Sequence, residues 1–142
     1  MMGVYGSILE VATSLASLQI PAVVPESEDD SVRQMPFDAL EEFKRRVSFA
    51  YLKKIRHPST FAVLAVNLDR HGIPNYIGPN TFAEITVAFA QSKRIYLYQG
   101  MPEAYVDELS AWRAVLLNGS LQQLATDFWQ SCMQEDKQLK LL

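Results

Sequence analysis

Cysteine is almost missing from this chain: Cys132 is the only one in 142 residues. A single thiol excludes an intramolecular disulfide, and two histidines, His57 and His71, are too few for a zinc site at the usual spacing. No metal and no cofactor is expected, and the lack of disulfides fits a cytoplasmic setting. Long apolar runs are missing as well. The longest are strand-sized, far below the roughly 20 residues that a membrane span needs, so no bilayer crossing is expected. The opening Met1-Met2-Gly3-Val4-Tyr5 has no basic region ahead of an apolar run, and no signal peptide is read there. Positive charge is not in excess either. A net charge of -3 argues against a nucleic-acid partner held by neutralising phosphates.

What is present is ordinary globular composition. Hydrophobic residues make up 49% and charged residues 20%, which excludes a disordered or fibrous chain. A length of 142 residues suits a single domain, 1–142, that buries a core without staples.

The periodicity alternates between two repeats. Gly3 to Ser7 reads as a very short strand ending in a glycine turn, and Ile8 to Leu18 as a helix with Ile8, Val11, Ala12, Leu15 and Leu18 on one face. Ile20 to Val24 reads as an edge strand with its proline at the start. Pro25 to Pro36 is acidic and aperiodic, the pattern of a mobile loop. Phe37 to Arg56 carries apolar residues at three- and four-residue steps and stops at His57-Pro58, where the proline pushes its predecessor out of the α region. Thr60 to Asn67 is continuously apolar up to its final residue, as in a central strand covered on both faces. A polar loop then runs to Asn80. After it come a helix at Thr81–Ser92, a strand at Arg94–Tyr98, a short helix at Pro102–Trp112, a strand at Ala114–Leu117 and a helix at Leu121–Met133.

Strands alternating with helices pair in parallel through right-handed crossovers. The predicted fold is α/β: a three-layer, flavodoxin-like or Rossmann-like sandwich of about five strands in the order 2-1-3-4-5. That order places a switch point between the first and third strands, where Gly6-Ser7 would face the segment from Asp69 to Glu84.

Tyr76, Gly78, Asn80 and Thr81 lead into a helix whose first amides lack intrahelical acceptors, a setting suited to an oxygen-rich ligand. Glu84 lies about one turn inside that helix. Its spacing from Thr81 also matches a capping box, which is the structural alternative to a catalytic role.

Asn67-Leu68-Asp69 at the end of a buried strand, Tyr76-Ile77-Gly78-Pro79-Asn80-Thr81-Phe82-Ala83-Glu84 at a helix start, Ala88-Phe89-Ala90 and Lys93-Arg94-Ile95-Tyr96-Leu97 stand in one segment. With Gly6-Ser7 after the first strand, this segment resembles the nucleoside 2-deoxyribosyltransferase family and its nucleotide N-glycosidase relatives. The resemblance implies that Glu84 attacks the anomeric carbon of a nucleoside or nucleotide, displaces the base and holds a covalent glycosyl intermediate. It implies Gly6, Ser7, Tyr76, Gly78, Asn80 and Thr81 as substrate-binding residues. A helix N-terminus beside Glu84 is expected to keep it ionised. Asp69 is the nearest candidate to assist the departing base, though an aspartate after a strand also forms turns. The chain departs from the family where Ile8 and Leu9 follow Gly6-Ser7 at once, and where Pro79-Asn80 replaces a second glycine.

His71 in the cleft loop is read as solvent-exposed, and Tyr76 as able to stack on a base or simply to pack. Lys44-Arg45-Arg46 and Lys53-Lys54 form a charged helix face, with Arg45 or Arg46 available to a phosphate. Trp112, Phe128 and Trp129 are read as core or subunit-interface aromatics. Self-association as a homo-oligomer is expected, with the apolar tail Leu139–Leu142 available to dock on a partner. A non-catalytic module of the same fold, binding a nucleoside-type ligand or another protein, is the alternative function.

Overall fold

The computed structural model describes residues 4–25, 35–132 and 138–142. Its elements in chain order are α1 (Val4–Ser17), β1 (Ala22–Val23), α2 (Phe37–Arg56), β2 (Thr60–Ala65), α3 (Pro79–Ala90), β3 (Arg94–Leu97), a 3-10 turn (Glu103–Tyr105), α4 (Val106–Ala111), β4 (Val115–Leu116), α5 (Gln122–Cys132) and β5 (Gln138–Leu141). The strands form one parallel sheet in the order β1-β5-β2-β3-β4. The fold is therefore α/β, as the alternation predicts. The acidic loop expected after Pro25 lies largely outside the described residues.

Strand periodicity sorts the core into two layers. Ala62, Leu64, Tyr96, Leu139 and Leu141 point to one face, where Ile8, Val11 and Leu15 of α1 and Leu124 and Phe128 of α5 cover them. Val63, Ala65, Ile95 and Leu97 point to the other, under Ile55 of α2, Ile85 and Ala88 of α3, and Leu109 of α4. All six residues of β2 are buried, which accounts for its lack of alternation.

Two expectations are corrected at the N-terminus. Val4 to Ser7 are not a strand, because α1 begins at Val4 and runs through Gly6 and Ser7. A glycine inside a helix costs roughly 1 kcal/mol against alanine. The apolar stripe of Ile8, Val11 and Leu15, all 5% exposed or less, outweighs that cost. The strand place beside β2 falls instead to β5, so the expected 2-1-3-4-5 arrangement keeps its shape with residues 138–141 in the slot assigned to residues 3–7. The tail is thus no free docking peptide: Leu139 and Leu141 are fully buried, and the backbone beyond them continues pairing through Val66 N–H to Leu142 O at 3.2 Å.

Elsewhere the boundaries agree closely. Helix α2 spans the residues expected of it, but much of it stands away from the core: Ile55 is its buried residue, whereas Phe37 is 73% exposed and Phe49 67%. No helix among the described residues is long and apolar enough to cross a membrane.

Candidate functional site

The loop from Leu68 to Gly78 leaves the C-terminal end of β2 and is a folded device. Arg70 and Ile73 exchange both backbone hydrogen bonds, at 3.1 and 2.9 Å. Between them His71 (φ 55°) and Gly72 (φ 71°) take the left-handed conformations of a two-residue hairpin turn. Asp69 Oδ1 accepts the Asn75 amide at 3.0 Å, which closes the base of the hairpin. Asn75, itself at φ 56°, accepts the Gly100 amide on Oδ1 at 3.1 Å.

Asn67 locks this loop to the one after β3. It is 1% exposed, donates to Gly100 O at 2.7 Å and accepts the Gln99 amide at 2.8 Å. A polar residue at the end of an apolar strand has this use: it satisfies backbone groups where the ladder runs out.

The chain then enters α3. Gly78 is the extended N-cap and Pro79 occupies the first helical position, where its missing N–H costs nothing. This start shifts the frame by two residues from expectation. Thr81 is the third helical residue rather than a cap, and no side-chain cap hydrogen bond is made. The capping-box alternative for Thr81–Glu84 is excluded by that geometry.

Glu84 sits on the sixth position of α3, where two cavities meet. One, of about 420 Å³, is the crevice beyond the C-terminal ends of β2 and β5, bounded by Val66, Asn67, Tyr76, Gly78, Thr81 and Leu142. The other, of about 500 Å³, lies between α2 and α3, bounded by Phe43, Arg46, Tyr51, Lys54 and Ala83. Pro25, Asn80 and Glu84 belong to both.

Burial sets the electrostatics. Desolvation pushes the Glu84 carboxyl up to about 7, and no hydrogen bond or ion pair among the described residues opposes it. The expectation of a fully ionised Glu84 is therefore corrected. The favourable field of a helix N-terminus fades within the first turn, and Glu84 lies beyond it. Tyr51 faces it from α2. Its hydroxyl donates to the Leu141 carbonyl, and burial first, then the Glu84 charge, raise its pKa above the ordinary tyrosine value.

Of the residues singled out in the sequence, Glu84, Tyr76, Gly78, Asn80 and Thr81 converge on the crevice. Gly6 and Ser7 do not line it; Ile8 of the same helix does. Asp69 is exposed and committed to the hairpin, and it lines neither cavity. His71 is exposed, with its ring edge-on to Tyr76 at 5.2 Å. Arg45 pairs with Glu42 at 2.8 Å on the surface, while Arg46 borders the larger cavity. Trp112 stacks on Phe82 and Phe89, Phe128 is core, and Trp129 is 45% exposed.

Tyr51, Lys54 and Arg70 border the cavities without any sequence signal that sets them apart, since each belongs to a helix face or loop of ordinary composition. Among the described residues no group of three or more His, Cys, Asp or Glu side chains is placed to hold a metal ion. Comparison with protein-family models, with curated proteins and with solved structures finds no match to this chain.

Proposed function

We propose that this chain cleaves or transfers the N-glycosidic bond of a (deoxy)nucleoside or nucleotide, with Glu84 as the nucleophile. One observation carries the proposal: a half-buried carboxylate, engaged by no partner among the described residues, stands at the junction of two cavities at the C-terminal edge of a parallel sheet. The resemblance of the segment from Asn67 to Leu97 to nucleoside 2-deoxyribosyltransferases supports the same chemistry, although Gly6-Ser7 contributes nothing to it from inside α1.

In its ionised form Glu84 forms a bond to the anomeric carbon as the bond to the base nitrogen breaks, through an oxocarbenium-like state that its charge stabilises. The base departs with the bonding pair and takes a proton from water in the open cleft, because Asp69 is turned into the hairpin. Water, or the nitrogen of a second base, then attacks the glycosyl ester and frees Glu84. Tyr76 at the crevice wall offers a ring for base stacking, and the Asn80 and Thr81 amides offer donors to sugar or phosphate oxygens. The setting is cytoplasmic, and the exposed rings of Phe37 and Phe49 on α2 favour self-association.

Incubation with a panel of deoxynucleosides and their 5′-monophosphates, followed by chromatography of free base, tests the activity. Glu84→Gln is expected to abolish release while the intact-protein mass of the wild type gains one glycosyl unit on the peptide that holds Glu84. Unchanged turnover in Glu84→Gln rejects the mechanism.

A non-catalytic module that binds the same ligands is the second reading, favoured by the absence of Gly6, Ser7 and Asp69 from the cavity walls. Calorimetry that finds saturable nucleoside binding without base release decides for it.

A further inference from the structure

Lys140 occupies the middle of the sheet. It is 1% exposed and in register between Val23 of β1 and Val63 of β2. An ammonium drawn away from bulk water is disfavoured unless an opposite charge or a set of acceptors replaces the lost solvent, and the Lys140 nitrogen is not sealed off completely. Among the described residues no hydrogen bond or ion pair reaches it. Its surroundings oppose the charge further: burial first, and then the neighbouring Lys54, lower its pKa.

A cavity of about 490 Å³ opens onto this side chain, rimmed by Lys53 and Lys54 from the last turn of α2 and by His57 and Ser59 from the turn that follows. Two carbonyls at this helix end are engaged elsewhere. Lys54 O accepts Thr60 Oγ1 at 2.8 Å and the His57 amide at 3.2 Å, and His57 O accepts Lys93 Nζ at 3.0 Å. The His57 ring is oriented as well. Its Nδ1 accepts the Ser59 amide at 3.1 Å and stands 2.7 Å from Ser59 Oγ, which leaves the ring proton on Nε2 as a donor. Lys53, Lys54, Lys140 and His57 thus border one concavity, and among the described residues no carboxylate lines it.

We propose that this cavity is an anion subsite that takes a phosphate group, with Lys140 at its base and Lys53, Lys54 and His57 at its rim. A dianion answers the clustered positive charge, and tetrahedral oxygens accept from several donors at once. Lys54 also borders the larger cavity that holds Glu84, so the phosphate can belong to a bound nucleotide or be free inorganic phosphate. Only the nucleotide source rests on the glycosidic activity proposed above.

Thermal melts of the full chain at low ionic strength test the subsite with three probes: inorganic phosphate, a deoxynucleoside 5′-monophosphate and the matching nucleoside. Phosphate is expected to raise Tm by several degrees beyond chloride at equal ionic strength, and isotherms are expected to saturate. Lys140→Met keeps the apolar volume of the strand, and it should fold at least as well as wild type while binding phosphate at least about tenfold more weakly. The double variant Lys53→Ala/Lys54→Ala leaves the strand untouched and should weaken phosphate binding too. A Lys140-dependent shift with the monophosphate but not the nucleoside assigns the subsite to a nucleotide, and a shift with inorganic phosphate alone assigns it to the free anion. Equal shifts with phosphate and chloride, or phosphate binding that survives in Lys140→Met, overturns the proposal, whether or not Glu84 releases a base.

Discussion

Replacing Glu84 with Gln should stabilise the protein, and by an amount that depends on pH. The carboxyl is ordinarily half-protonated at 4.5, and burial raises that point to about 7 in the folded chain. At roughly 1.4 kcal/mol for each tenfold change in proton affinity, the cost of ionising Glu84 in place is on the order of 3 kcal/mol. The sign follows from which state releases its proton first. With the folded pKa above the unfolded one, the unfolded chain ionises first, so stability declines as pH rises from about 4.5 and levels off above about 7. Glutamine has the same shape and no charge to lose. Its advantage over wild type should be near zero at about pH 4 and about 3 kcal/mol at about pH 8, or on the order of 10 °C in Tm for a chain of this size. Urea melts of both proteins at the two pH values measure the difference directly. The same variant should lose base release altogether, and wild-type release should rise with pH around a midpoint of about 7, since the nucleophile is the anion. A glutamine variant that gains no stability between the two pH values refutes the desolvated carboxylate and the pH dependence built on it.

Asn67→Ala should cost roughly 2 to 3 kcal/mol by denaturant titration, because the Gln99 amide and the Gly100 carbonyl both lose their partner. Leu141→Ala, in a fully buried position between two layers, should cost roughly 3 kcal/mol by the same measurement. Alkaline spectrophotometric titration should find two of the six tyrosines, Tyr51 and Tyr96, ionising late, since burial raises both. Because their folded pKa values lie above the unfolded one, stability should fall once the pH passes about 10, and the late pair should titrate together with unfolding.

The parts of this fold that were legible in the sequence are those fixed by local repeats. Helix α2 announces itself by apolar steps of three and four, and β2 by an unbroken apolar run closed by a single polar residue, Asn67. The approximate site was legible for the same reason, since Glu84 lies a fixed distance along a helix that leaves β2 at its ligand-binding end. Long-range choices were not legible. Residues 3–7 and 138–141 are both short and only partly apolar, and periodicity cannot say which of them pairs with β2. Local preference alone makes Gly6 a turn, and it does not contain the burial that Ile8, Val11 and Leu15 gain by extending the helix through it. The state of Glu84 is not legible in the sequence, because desolvation depends on α2 lying across it, a tertiary fact.

The position of β5 has a consequence for the order in which the molecule assembles. Units β2, α3, β3, α4 and β4 follow one another along the chain and associate at short range, whereas β1 meets the rest of the sheet only through a segment more than a hundred residues downstream. Leu142, at the end of that segment, is also a wall of the crevice beneath Glu84. Until that segment docks, the cleft is expected to lack one wall, and seating the distant strand supplies the sheet's missing neighbour and that wall together.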